Sequence, residues 1–207
     1  MIVIVDYGMG NLSSVANAAI FLGKKVKVTD SKGVISKAKK IIFPGVGNFA
    51  QAVKELKKRK IFGVLREKID SGTPFLGICL GMQLLLQGSE EAPRVKGLGA
   101  IEGKVKKFRV KKLIVPHMGW NQIKMKNEKL KIKNVNIFKG IKNKEFFYFA
   151  HSYYCEPKEK NVILTTTSYG VEFASSLCKE NIWAVQFHPE KSQKLGLKVF
   201  NNFLDLC

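Results

Sequence analysis

The chain has 207 residues, 45% hydrophobic and 25% charged, which places it among ordinary soluble globular proteins and suits one large domain spanning 1–207. No apolar run approaches the roughly 20 residues needed to cross a bilayer, and Met1 to Val5 lacks the basic flank of a signal peptide. Cys79, Cys155, Cys178 and Cys207 form no CxxC pair, so membrane, secreted and disulfide-scaffold classes drop out and a reduced cytoplasm is expected.

Thirty-six Lys plus Arg against 16 Asp plus Glu leave a net charge of +20. Only Arg59, Arg66, Arg94 and Arg109 carry the forked guanidinium that phosphate and base-edge readers favour. The excess therefore reads as a lysine-rich composition ahead of a nucleic-acid surface.

The first half alternates short β-branched runs with longer helical patterns, the order of βαβ units around a mainly parallel sheet. Ile2 to Val5 is the first strand. Asn11 caps a helix running to about Gly23, with Leu12, Val15, Ala16, Ala19 and Phe21 to Leu22 near one face. Val26 to Thr29 and Lys40 to Phe43 are the next strands, and the second enters the turn Pro44-Gly45-Val46-Gly47. A Lys- and Glu-rich helical stretch follows from about Asn48 to Asp70, broken near Lys60. Pro74 to Ile78 is a fourth strand, leading to a helical run from Met82 to Leu86. Beyond Gly97 the runs shorten and alternate: Gly103 to Val110, Trp120 to Lys124, Phe146 to His151, Val162 to Ser168, Phe173 to Cys178 and Trp183 to Phe187. These read as mixed or antiparallel strands. The lysine-rich stretch Lys124 to Lys144 reads as an exposed loop region with one short helix. Leu195, Val199, Phe200, Phe203 and Leu204 mark a closing helix from Ser192.

Gly77-Ile78-Cys79-Leu80-Gly81 lies between the fourth strand and a helix, the strand-turn-helix context of a nucleophile elbow with Cys in place of Ser. Glycines on either side let strand and helix close up while Cys79 occupies a strained turn. The helix N-terminus favours a thiolate, and the Leu80 N–H faces a developing oxyanion. Alone, such a cysteine is more often a buried small hydrophobe. Gln186-Phe187-His188-Pro189-Glu190 shifts that balance, because it ends an apolar strand with a base and a carboxylate on one side of an extended chain. Glu190 can orient the imidazole and His188 can take the Cys79 proton. The Pro44 to Gly47 turn, after another strand of the same sheet, offers a peptide N–H near Val46 or Gly47 to the same oxyanion. Two aromatic clusters, Pro116-His117-Met118-Gly119-Trp120-Asn121 and Tyr148-Phe149-Ala150-His151-Ser152-Tyr153, fit core packing and a binding or interface role equally well.

Together with Asp6-Tyr7-Gly8-Met9-Gly10-Asn11-Leu12, these motifs resemble nearly end to end the class I, triad-type glutamine amidotransferases. Within that family, the Asp6 to Leu12 and Pro116 to Asn121 stretches are similar to those of the glutaminase subunits of imidazole glycerol phosphate synthases. The resemblance implies a three-layer α/β fold with a mainly parallel central sheet, flanking helices and additional antiparallel strands in the second half. It implies hydrolysis of L-glutamine to glutamate and ammonia, the ammonia passing to a (β/α)8 barrel cyclase partner in histidine biosynthesis. By match of position, Cys79 is the nucleophile, His188 the base and then acid, and Glu190 the orienting carboxylate. Val46 and Leu80 supply oxyanion N–H groups, while Gly47, Gln83, Glu91, Ser152 and Tyr153 line the glutamine pocket. Trp120, Asn121, Tyr148 and Lys191 match positions at the partner interface. The chemistry agrees: a carboxamide is a poor electrophile, so a thiolate must attack, an oxyanion must be held and the nitrogen must be protonated to leave. Each step has its group, and none calls for a metal or an organic cofactor.

Leu86 to Ser89, Asn48 and Ser168 depart from the family pattern. They touch no triad residue and bear on the pathway, since paralogues of this subfamily serve other aminations such as those building surface sugars. A nucleic-acid module would need a basic stripe with interleaved aromatics, whereas the lysines here are spread through helices and loops. An elbow-type peptidase or deglycase would share Cys79 but have no use for the Trp120 and Tyr148 motifs.

Overall fold

The computed structural model describes residues 1–111, 113–126 and 136–205. The first half runs β1 (Ile2–Val5), α1 (Leu12–Phe21), β2 (Val26–Thr29), α2 (Lys32–Ser36), β3 (Lys40–Gly45), α3 (Phe49–Lys58), α4 (Phe62–Asp70), β4 (Phe75–Cys79) and α5 (Leu80–Leu84). The second half adds β5 (Leu86–Ser89), β6 (Ala92–Lys96), β7 (Ile101–Lys107), β8 (His117–Gln122), β9 (Lys124–Met125), β10 (Phe146–His151) and β11 (Tyr153–Pro157). It ends with β12 (Ile163–Ser168), β13 (Glu172–Lys179), β14 (Ile182–Val185) and α6 (Gln193–Leu204).

Strands β2, β1, β3, β4 and β14 lie side by side and parallel. From β14 the sheet continues antiparallel through β13 and β11 to β7, and β8 pairs with β10 in a separate two-stranded ribbon. Alternation along the parallel strands builds two cores. Val3, Val5, Ile41 and Phe43 face α2, α3 and α4 on one side. Ile4, Ile42, Leu76 and Ile78 face α1 and α6 on the other. Period-2 side-chain direction in buried β-branched strands thus produces the expected three layers.

Helix ends follow local chemistry. The Asn11 side chain accepts from the Ser14 N–H (3.4 Å) to start α1, and Asn48 accepts from the Gln51 N–H (3.0 Å) to start α3. Asn48 therefore caps α3. Lys60 breaks the long helical stretch at φ +58°. No helix among the described residues is long and apolar enough to cross a membrane.

Three expectations need correction. The helix after Cys79 spans Leu80–Leu84 and not Met82 to Leu86; Leu86 opens β5 opposite Ile101, because a short apolar run does not separate helix from buried strand by periodicity. Strands β5, β6 and β11 and helix α2 lay outside the expected elements. In the Lys124 to Lys144 stretch, Lys124–Met125 pairs with Thr165 and Thr166 of β12, and its described residues contain no helix. The rest of that stretch, 127–135, and Cys207 lie outside the described residues.

Candidate active site

Cys79 is the last residue of β4 and the N-cap of α5, at φ +55° and ψ −109°. That left-handed backbone is costly for a residue with a side chain and marks a built turn. Its neighbours make it possible: a Cβ at Gly81 would overlap the Phe43 carbonyl, and one at Gly77 would lie 2.9 Å from Leu85 Cδ1. The parallel register sets Gly45 opposite Cys79 across β3 and β4, so the Val46–Gly47 turn begins beside the thiol. Gly47 has φ +95°, a conformation suited to glycine. Leu80, with the first N–H of α5, is buried.

On the other flank, β14 pairs with β4 as far as Val185 opposite Ile78. Gln186, Phe187 and His188 therefore leave the sheet alongside Cys79. His188 is clipped in place by its N–H to the Tyr148 carbonyl (2.9 Å) and by the Ser192 hydroxyl donating to its carbonyl (2.7 Å). His188 Nδ1 meets Glu190 Oε1 at 2.8 Å, and the Cys79 sulfur lies near enough to act on the charge of the ring. Burial works against the imidazolium, but the Cys79 sulfur and the Glu190 carboxylate outweigh it and hold the His188 pKa up at about 10. The other described cysteines are different: burial pushes the Cys155 thiol up, and the Cys178 thiol up to about 12, as expected for inert core thiols.

A cavity of about 200 Å³ opens over Cys79. Val46 and Gly47 form one wall, Gln83 and Glu91 another, and Ser152 with Tyr153 a third. This volume lies below the roughly 300 Å³ at which drug-sized pockets begin and suits an amino acid. The Gln83 side chain donates to the Tyr153 carbonyl (2.9 Å), and Glu91 Oε2 accepts from the Phe49 N–H (2.7 Å), tying the wall to the start of α3. The structure thus gathers every expected pocket residue around the expected nucleophile.

Trp120, Tyr148 and Lys191 lie together on the surface beyond this cavity. Trp120 pairs in register with Tyr148, their rings meet edge to face at 6.2 Å, and Lys191 Nζ sits 5.7 Å from the Tyr148 ring centre. Asn121 belongs to the same strand but turns its amide inward, to His117 Nε2 (3.2 Å) and the Ser168 carbonyl (3.0 Å).

Three groups at the site escaped sequence reasoning. Gln186 directs its amide at Cys79 Sγ (3.6 Å), His151 lines the cavity, and the Tyr7 hydroxyl is buried against Gly45 with no hydrogen-bond partner among the described residues. All three lay within the quoted motifs, but nothing in a linear motif says which of its side chains faces the thiol.

The family model described as glutamine amidotransferase class-I matches residues 3–206. Imidazole glycerol phosphate synthase subunit HisH 1 of Methanococcus maripaludis is 47% identical over 100% of both chains. Subunit HisH of Pyrococcus furiosus is 48% identical over 98% of this chain and 97% of its own. Among solved structures, a glutamine amidotransferase superposes with a TM-score of 0.75 at 18% identity, covering 98% of this chain and 97% of that one, a likeness of fold. The chain belongs to the class-I glutamine amidotransferases and, within them, to the family of HisH subunits of imidazole glycerol phosphate synthase.

Proposed function

We propose that Cys79, His188 and Glu190 hydrolyse L-glutamine in the cavity beside the Val46 turn and deliver the ammonia to a (β/α)8 cyclase subunit docked on the β8–β10 ribbon. The observation that carries this reading is the strained Cys79 lining an amino-acid-sized cavity, with the buried His188–Glu190 pair beside it. The Cys79 sulfur attacks the side-chain carboxamide carbon. The oxygen takes up the negative charge opposite the N–H groups of Val46 and Leu80. His188 gives its proton to the amide nitrogen, the C–N bond breaks and ammonia leaves a thioester on Cys79. Water then attacks that thioester, His188 accepts its proton, and glutamate departs as the sulfur is restored. Glu190 keeps the ring oriented and favours its charged form throughout.

The partner reading rests on an unpaired apolar face. Met118, Trp120 and Phe146 are each about half or more exposed, on the outer side of β8 and β10. A groove of about 800 Å³ runs from Trp120 and Phe146 to Leu195 and Leu197 of α6. Tyr148 belongs to this face and also holds the His188 N–H, so a docked partner bears on the triad itself. A single domain and a cytoplasmic setting complete the proposal, the latter supported by the free thiols of Cys79, Cys155 and Cys178.

The test is glutamine-dependent ammonia release by the chain together with the cyclase and its ligand, in wild type and Cys79→Ala. The proposal expects the wild type to be active and the variant to be inert. Complementation of a histidine auxotroph lacking this subunit separates the histidine pathway from a paralogous amination.

A further inference from the structure

His117 and His151 are the two histidines the reaction leaves unused, and they face each other across β8 and β10. His117 Nδ1 lies 3.0 Å from His151 Nε2, His117 Nε2 lies 3.2 Å from Asn121 Nδ2, and His151 Nδ1 lies 2.8 Å from the Tyr153 carbonyl. The proton positions follow from the two ends. A carbonyl only accepts, so His151 carries its proton on Nδ1 and accepts on Nε2. At the other end, Asn121 Oδ1 accepts from the Gln122 N–H (2.8 Å) while Nδ2 donates to the Ser168 carbonyl. The same Nδ2 therefore donates to His117 Nε2, which places the His117 proton on Nδ1. The two deductions meet at one central bond, His117 Nδ1–H to His151 Nε2, with each donor matched to an acceptor. Burial pushes both rings down, His117 to about 4 and His151 to about 3, so each carries the single proton this chain requires at neutral pH.

The chain joins the outer ribbon to the cavity. At its inner end the Tyr153 carbonyl also accepts from Gln83 Nε2 (2.9 Å), which reaches Gln186 Oε1 (3.2 Å) beside Cys79. At its outer end Asn121 follows the exposed Trp120. Gly119, at φ +127°, lies between His117 and Asn121 in the strand, where the backbone must curl for the two side chains to meet.

We propose that His117 and His151 are positioning residues of the glutaminase, a directional hydrogen-bond relay through which the setting of Asn121, next in the strand to Trp120 of the partner face, fixes the Tyr153 carbonyl and Gln83 amide of the glutamine cavity. The relay works through tautomers. With the Asn121 amide withdrawn, His117 is free to carry its proton on Nε2, and its Nδ1 then confronts the His151 acceptor with no hydrogen between them. A partner that holds Asn121 in place tightens the cavity, and one that displaces it loosens the cavity. This inference rests on the glutaminase reading above.

Packing is separable from the relay, because His117 stacks on Phe149 (4.9 Å) and Tyr169 (4.1 Å), contacts a phenyl ring keeps. The experiment is steady-state glutamine hydrolysis by the complex with the barrel subunit, in wild type, His117→Phe, Asn121→Ala, the double variant and His117→Asn. Loss of one net hydrogen bond raises KM for glutamine about five-fold in His117→Phe, with kcat within about two-fold. Asn121→Ala raises KM similarly and adds nothing in the His117→Phe background. His117→Asn, whose amide stands in for Nδ1–H, restores most of the affinity. An unchanged KM in His117→Phe, or independent, multiplying effects of the two substitutions, overturns the relay alone. A wild-type complex that hydrolyses no glutamine overturns the glutaminase reading and the relay with it. Imidazole ¹⁵N spectra of the wild-type complex give a readout independent of folding in the variants, since the chain has only 3 histidines. Both rings must appear neutral and protonated on Nδ1; an Nε2–H form of either one overturns the relay.

Discussion

His188 Nδ1 and Glu190 Oε1 stand 2.8 Å apart with both side chains almost sealed from solvent, at 5% and 2% exposure. A buried carboxylate two residues from the base both orients the ring and favours its charged form. Glu190→Gln keeps the shape and an acceptor oxygen but removes the charge. It is expected to lower the His188 pKa from about 10 and to reduce kcat by about 10²- to 10⁴-fold, with little change in KM. The pH–rate profile and kcat of the complex check this; unchanged values would reduce Glu190 to a packing role.

Stability depends on pH in two windows of opposite sign. The folded His188 pKa, about 10, lies above its ordinary 6.5, so its contribution is complete below 6.5 and declines as pH rises toward 10. His117 and His151 are pushed down by burial, to about 4 and about 3, with His117 and His188 adding repulsion at His151. Their contribution is complete above 6.5 and is lost as pH falls through 4 and 3. Melting temperature against pH is expected to fall on both sides, and His117→Phe to flatten the acid side alone.

Two glycines predict opposite outcomes for the same substitution. A Cβ at Gly81 would run into the Phe43 carbonyl, which is backbone of the central sheet. Gly81→Ala is expected to destabilise by about 3 kcal/mol or more. Gly63, in α4, has nothing within 4 Å of a Cβ, and Gly63→Ala is expected to stabilise by about 0.5 kcal/mol. Urea denaturation of the two variants measures both.

The Tyr7 hydroxyl is fully buried without a hydrogen-bond partner among the described residues, and a Cβ at Gly45 would overlap it. Tyr7→Phe removes a desolvated group and is expected to be neutral or to stabilise by about 1 kcal/mol. Gly45→Ala is expected to destabilise, and less so in the Tyr7→Phe background. A double-mutant cycle with a coupling of about 1 kcal/mol or more is the expected result.

The parallel half of the fold is legible because runs such as Ile2–Val5 and Lys40–Phe43 are β-branched or apolar, short and bounded by turn residues. Helix α2 is not, since its five residues include a glycine and bury only Ile35, leaving no period to see. Strand β11 hides behind Glu156 and Pro157, which look like a turn, and is held by pairing with β7. The same division holds at the site. Cys79, His188 and Glu190 stand in linear motifs whose spacing carries their chemistry. The contact of His117 with His151 depends on the register of two strands distant in sequence, and the pairing of the Asn121 amide with His117 and the Ser168 carbonyl is not visible in its own motif.

The central claim is that Cys79 carries the glutamyl group during turnover. The most direct measurement is mass spectrometry of the complex, mixed with glutamine, quenched in acid during steady state and digested. The expected result is a glutamyl thioester on the peptide containing Cys79, absent from Cys79→Ala and lost on treatment with hydroxylamine. Ammonia release by Cys79→Ala at the wild-type rate, with no adduct on any cysteine, would contradict the account.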